Sequence, residues 1–233
     1  MNSQRKKSEL TALRIEKTIL QGIYKPGDRL PPERVLAEEF CVSRSILREA
    51  MKHIASLGLV RTEPQSGTYV TDYGKEASLE LLIYLMDNNE TLDPIILKAL
   101  LDFRELLEVG AAERAALRSS EDFLAVLRLH RRNMEDGTTD PLQLAKKDYE
   151  FHTLIIDRTD NIAFRLLFNA CRSVYLFYAR EFYRVPGHLE HALSQWDRLL
   201  EAFKQTDSAA AGAIMKETLA YGRDSIYQSL DFS

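Results

Sequence analysis

The chain has 233 residues, 45% of them hydrophobic and 28% charged, with a formal net charge of −4. That length gives room for two domains with separate cores, and the lack of a long uncharged apolar run excludes a helical membrane span. The two cysteines, Cys41 and Cys171, fit no metal spacing and read as small apolar fillers in a reducing compartment.

In chain order, Met1 to Lys7 is polar and basic with no apolar stretch behind it, so no secretory signal is expected and the protein is placed in the cytoplasm. From residue 26 the sequence runs PGDRLPPERVLAEEFCVSRSILREAMKHIASLGLVRTEPQSGTYV. Pro32 at a first-turn position, with Glu33 behind it, starts a helix: the missing amide costs nothing there and the carboxylate meets the positive helix end. Leu36, Ala37 and Phe40 form its apolar face. Cys41-Val42-Ser43 is a tight turn, and Ser43 is a good N-cap for a second helix over Arg44 to Ser56. Two short helices around a three-residue turn make a helix-turn-helix. Helical spacing buries Ile46, Leu47, Ala50, Met51 and Ile54 on the second helix and leaves Arg44, Ser45, Arg48 and Lys52 outside. Such a basic, hydroxylated face at a helix N-terminus is what enters a DNA major groove. After Gly58, the runs 59–62 and 68–71 read as two strands joined by a turn with Pro64, Gln65, Ser66 and Gly67.

These runs resemble the GntR family of bacterial transcription regulators: PGDRLPPERVLAEEF, then VSRSILREAMKHIASLGLV, then QSGTYV. The resemblance implies that Arg34, Arg44 and Arg48 contact phosphates and guanine edges, that Ser43 and Ser45 add backbone contacts, and that Gln65, Ser66 and Gly67 bring the wing tip to the minor groove. Gln65 stands where the family usually has glycine, so a stiffer wing tip or an added side-chain donor is expected there. Up to Tyr73 there are 12 Lys/Arg against 9 Asp/Glu, and in the remainder 19 against 26. A head with so small an excess of positive charge gains from being paired, which favours a homodimer on a palindromic operator. The expected domains are 1–72 (winged helix-turn-helix), a linker at 73–75, and 76–233.

The rest reads as helix throughout, giving a mainly α protein whose body is an antiparallel bundle of about seven helices. The expected helices span 76–87 (apolar at Leu79, Leu82, Ile83 and Met86), a long one opened by Asp93-Pro94, 121–135, one opened by Asp140-Pro141, 161–183, 188–205 and 207–228. The aromatics between Phe164 and Tyr183 number seven, which leaves two readings open: a well-filled core or an apolar ligand tunnel. Arg104, flanked by Phe103 and Leu107, is either a solvated helix partner or a receiver of a ligand carboxylate or thioester. Arg172 and Arg180 are further candidates for an anion.

This order resembles the FadR subgroup of the GntR family through FRELLEVGAAERAA (103–116), DYEFHTLIIDRTDNIAF (148–164), LLEAF and the run from Asp207 to Met215. The resemblance implies a helical domain that binds an effector and dimerises. Many members hold a divalent metal there with one Asp and three His. Asp148 and His152 stand at the first two ligand positions, but Trp196 and Thr218 fall at the third and fourth, so no metal or other cofactor is expected. His191, about 140° from position 196 around the helix, does not replace the third ligand. The chain is therefore closest in character to the fatty-acid-responsive branch of the subgroup, which uses no metal. By that resemblance Tyr175, Phe182, Gly222 and Ser225 are effector residues, with Arg104 added from its own setting, and a long-chain acyl-CoA is the expected effector. A small organic acid, or no effector at all, is the alternative. No glycine-rich phosphate loop, nucleophile signature or complete ligand set supports an enzyme.

Overall fold

The computed structural model describes residues 2–76, 81, 84 and 94–229, and the chain divides into two units, Met1–Leu85 and Met86–Ser233. The first unit opens with α1 (Asn2–Leu20), a helix that the periodicity of the sequence did not announce. Its inner face is Ala12, Ile15 and Ile19, each fully buried, and it packs on the second helix of the helix-turn-helix that follows. That motif is α2 (Glu33–Glu39) and α3 (Arg44–Ser56). Pro32 sits one place earlier than expected, at the N-cap of α2, and Ser43 caps α3 by accepting from the Ile46 amide at 3.4 Å. Leu47, Ala50, Met51 and Ile54 are buried as the spacing requires, while Ile46 is half-buried.

Two strands follow, β1 (Val60–Glu63) and β2 (Gly67–Val70), antiparallel with Val60 opposite Val70 and Glu63 opposite Gly67. Arg29 adds a single bridge to Tyr69 on the outer side of β2. A one-turn helix, α4 (Tyr73–Glu76), lies where a linker was expected. The helix expected over 76–87 falls largely outside the described residues. Leu81 and Tyr84, however, belong to the first unit: Leu81 is buried and the Tyr84 ring meets His53 edge-on at 5.0 Å.

The second unit has seven helices among the described residues: α5 (Pro94–Leu117), α6 (Glu121–Gly137), α7 (Pro141–Arg158), α8 (Ile162–Ala170), α9 (Arg172–Phe182), α10 (His188–Lys204) and α11 (Ser208–Ser229). Their starts follow from capping: Ser120, Asp140, Asn161 and Asp207 each accept a backbone amide of the first turn, and Pro141 opens α7. The single helix expected over 161–183 is two. At Cys171 the backbone leaves helical geometry (ψ 2°), and its amide bonds back to Phe168 at 3.1 Å in a tightened last turn. The break lets α8 lie along α5 and α7 while α9 crosses to α7 and α11. The protein is thus mainly α with one small wing sheet. No helix among the described residues is long and apolar enough to cross a membrane.

Candidate functional site

On the head, α3 presents Ser43, Arg44, Ser45 and Arg48 to solvent. Arg48 Nε donates to Glu33 Oε2 at 2.7 Å, Arg34 Nη1 to Glu38 Oε1 at 2.8 Å, and Lys52 Nζ to Glu49 Oε1 at 2.9 Å. Exposed pairs of this kind add little to stability, so each is readily exchanged for a phosphate. Arg44 makes no hydrogen bond or ion pair among the described residues. At the wing tip Gln65 takes a left-handed conformation (φ 62°) that glycine adopts without cost, and Ser66 and Tyr69 share a hydroxyl hydrogen bond at 2.7 Å. Gly67 has φ 138°, and a Cβ there would stand 2.7 Å from Arg29 Nε. The Arg29 guanidinium therefore lies beside the wing tip at Gly67. No helical or turn signal marked it in advance; only the long-range bridge to Tyr69 places it.

In the body, three pairs of residues spaced four apart on their helices converge: Arg104 and Glu108 on α5, Asp148 and His152 on α7, Thr218 and Gly222 on α11. Tyr178 and Phe182 of α9, Tyr183 just beyond its end, and His191 and Trp196 of α10 complete the wall of one cavity of about 50 Å³. A methyl placed on Gly222 would meet no atom within 4 Å, so the bare backbone there adds to the open space.

The polar groups of this cavity form one network. Glu108 is 1% exposed and is held from both sides, by Arg104 Nε on one oxygen and by His152 Nδ1 on the other. Burial alone would push its carboxyl up, but Arg104 and His152 together hold it below the usual carboxylate range. A carboxylate only accepts, so His152 Nδ1 carries the proton and Nε2 faces Asp148 Oδ1, 3.9 Å away. Tyr175 donates to Asp148 Oδ2 at 2.6 Å and Tyr183 to Oδ1 at 2.9 Å. Burial first, and the Asp148 charge second, push both phenols well above the usual tyrosine range, so they remain neutral donors. Arg104 lies 4.1 Å over the Tyr175 ring. Burial would lower its guanidinium, yet the Glu108 charge more than offsets that.

Of the expected effector residues, Arg104, Phe182 and Gly222 line this cavity. Tyr175 lines an adjacent apolar pocket that shares Arg104 and Tyr178 with it, while Ile226 rather than Ser225 is among the lining residues of α11. Arg172 sits over the Tyr149 ring at 5.6 Å, and Arg180 is paired with Glu181 at 2.9 Å; neither enters the cavity. His191 does line it, although its position on α10 suggested another direction.

The sequence profile described as "Bacterial regulatory proteins, gntR family" matches residues 7–70, and the "FCD domain" profile matches 99–221. The chain belongs to the GntR family of bacterial regulatory proteins. The GntR head and FCD body meet the two units of the fold. Among relatives, Mce2R of Mycobacterium tuberculosis is 34% identical over 67% of this chain, which spans 65% of that protein's length. The galactonate operon transcriptional repressor of Escherichia coli is 25% identical over 88% of this chain and 90% of its own. A solved structure, Streptococcus agalactiae GntR, is 27% identical, covers 95% of this chain and 99% of its own, and has a TM-score of 0.50. These profiles and relatives are regulators, not enzymes.

GntR-family metal binding can be tested on the residues present. Trp196 and Thr218 line the cavity with Asp148 and His152. Both oxygens of Asp148 already accept from tyrosines, and an indole N–H only donates. Among the described residues no cluster of three His, Cys, Asp or Glu side chains is placed to hold a metal. This donor set does not fit the metal that the resemblance implies.

Proposed function

We propose that the chain is a homodimeric, sequence-specific DNA-binding transcription regulator whose affinity for a palindromic operator changes when the FCD cavity takes up a small hydroxycarboxylate. The observation that carries DNA reading is the exposed basic first half of α3, with Arg44 unpaired among the described residues and Arg48 and Arg34 held by surface carboxylates, set beside a two-stranded wing. Arginine suits this role because its planar fork meets guanine O6 and N7 together, worth about 1–3 kcal/mol of discrimination. Arg34, Ser43, Arg44, Ser45, Arg48, Gln65, Ser66 and Gly67 form the proposed contact surface, and Arg29 joins them.

The effector is read from Arg104. Its Nε is committed to Glu108, and its remaining N–H groups, with no further hydrogen bond among the described residues, make a fork for a carboxylate at the cavity wall. The free volume is about 50 Å³, so any guest larger than a few atoms, a six-carbon acid included, enters only as the wall gives way, and a long acyl chain asks far more of it. Tyr175, one of the residues that suggested an acyl-CoA, is committed to Asp148. The name of the galactonate operon repressor supports a polyhydroxy acid as the ligand class. Dimerisation is supported by an apolar stripe on α5 and α8. Leu106 is 78% exposed, Leu117 69%, Ile162 68% and Leu166 62%, and Phe164 of α8 lies about Gly110 of α5.

The test is fluorescence anisotropy of labelled DNA from the upstream region of its own gene, titrated with the protein and then with sodium galactonate or oleoyl-CoA. The expected result is a shift of about tenfold in affinity with the hydroxy acid and none with oleoyl-CoA. The reverse pattern restores the acyl-CoA reading. Arg44→Ala and Arg48→Ala should each weaken operator binding by about 1–3 kcal/mol without moving the melting temperature. Unchanged operator affinity in both variants would overturn the assignment of α3.

A further inference from the structure

The least explained atom in the cavity wall is the indole nitrogen of Trp196. The side chain is 1% exposed and its ring is stacked on Phe151, with centroids 3.7 Å apart and planes within 4°. Its Nε1 is buried without a hydrogen-bond partner among the described residues. Buried N–H groups are nearly always satisfied, and an orphan calls for an explanation. Trp196 borders the same space as Arg104 and Thr218. Thr218 Oγ1 donates to the Ile214 carbonyl at 2.8 Å, which commits its proton and leaves its lone pairs as acceptors. On α10, the helix of Trp196, His191 Nε2 is also buried without a partner among the described residues, and burial followed by the nearby His188 holds that ring below the usual histidine range. The lining residues of the cavity thus include two with a buried polar atom that has no partner among the described residues.

We propose that Trp196 is an effector-contacting, specificity-determining residue. Its indole N–H donates to an oxygen of the bound hydroxycarboxylate, in the corner where the resembling subgroup places a metal ligand, so that recognition proceeds without metal. This rests on the small-carboxylate reading of the cavity. Arg104 receives the carboxylate, Trp196 supplies a fixed neutral donor, and Thr218 offers an acceptor for a ligand hydroxyl. A ligand that is an acid without hydroxyls leaves Thr218 unanswered, which makes the hydroxy acid the better guest. Ring stacking on Phe151 locks the indole orientation before any ligand arrives, so little ordering is required on binding.

Because the chain has a single tryptophan, one indole N–H signal reports this contact directly. The full-length protein, labelled with 15N-tryptophan and treated with EDTA, is titrated with sodium galactonate and sodium lactate while calorimetry reads affinity. Expected are a downfield shift of the indole proton, undiminished affinity after EDTA, and a loss of about tenfold in affinity in Trp196→Phe, which keeps a ring on Phe151 but lowers the unliganded melting temperature by the space it opens, so affinity is compared where both forms are folded. Equal affinity in wild type and Trp196→Phe, or an indole signal that does not move while heat is released, overturns the role of Trp196 and leaves the cavity reading standing. A requirement for added zinc overturns it as well. No heat from the wild type with either acid overturns both. Should Trp196→Phe fail to fold, the wild-type indole shift alone decides.

Discussion

Glu16 is a carboxylate in the wrong solvent. It sits on the inner face of α1, 2% exposed, with one oxygen lacking a partner and the other reached by the Tyr84 hydroxyl. Burial raises its pKa from 4.5 to about 7, and the tyrosine hydrogen bond offsets only part of that. The sign of the linkage is that of a carboxyl favoured in its protonated form. The head carries no penalty below pH 4.5, loses stability as pH rises from there to about 7, and keeps the full penalty above that, up to roughly 3 kcal/mol. Glu16→Gln should therefore flatten the dependence of the head's melting transition on pH across this window and raise the transition at pH 8. A variant as pH-sensitive as the wild type would show that Glu16 ionises freely. Tyr84 follows the wing in sequence, so this carboxyl also tests how firmly the segment after the wing is held to α1.

At the scale of elements, the N-cap of α3 fixes where the reading helix begins. The Ser43 bond to the Ile46 amide is long, 3.4 Å, and Ser43 also shares a hydroxyl contact with Ser45 at 3.0 Å. Ser43→Ala should cost about 1 kcal/mol or slightly less, faster amide exchange at residues 45–48 should report it, and operator affinity should fall with it. Unchanged exchange there would mean that helix packing, not the cap, sets the start. The bounds of α3 were legible to the residue because Ser43 and Gly58 punctuate a clean apolar face. α1 was not, since Thr11 and Glu16 are buried among its apolar positions and blur the period. The run from Asn161 to Tyr183 hid its break because aromatics face inward on both sides of Cys171. In the body, the Arg104–Glu108 and Asp148–His152 spacings were readable as pairs on a helix face. That Tyr183, 35 residues further on, would close on Asp148, or that Arg29 would lie over Gly67, depends on tertiary packing that no local pattern encodes.

For the whole molecule the decisive property is the number of heads per particle. Each head, counted to Tyr73, carries 12 positive against 9 negative residues, too little excess charge to hold DNA strongly alone. Two heads on one axis double the released counterions and so double the slope of log affinity against log salt. The stripe of Leu106, Leu117, Ile162 and Leu166 is the apolar surface available for that pairing, and a charge within it would be buried without a partner in the dimer. Leu106→Glu with Leu166→Glu should shift sedimentation from dimer to monomer while leaving the helical content intact, since none of the side chains in the stripe is part of the core. Operator affinity should fall steeply, and the salt slope should drop to about half. A variant that remains dimeric would move the interface elsewhere on the body; one that is monomeric yet binds the operator with an unchanged slope would show that a single head is the reading unit.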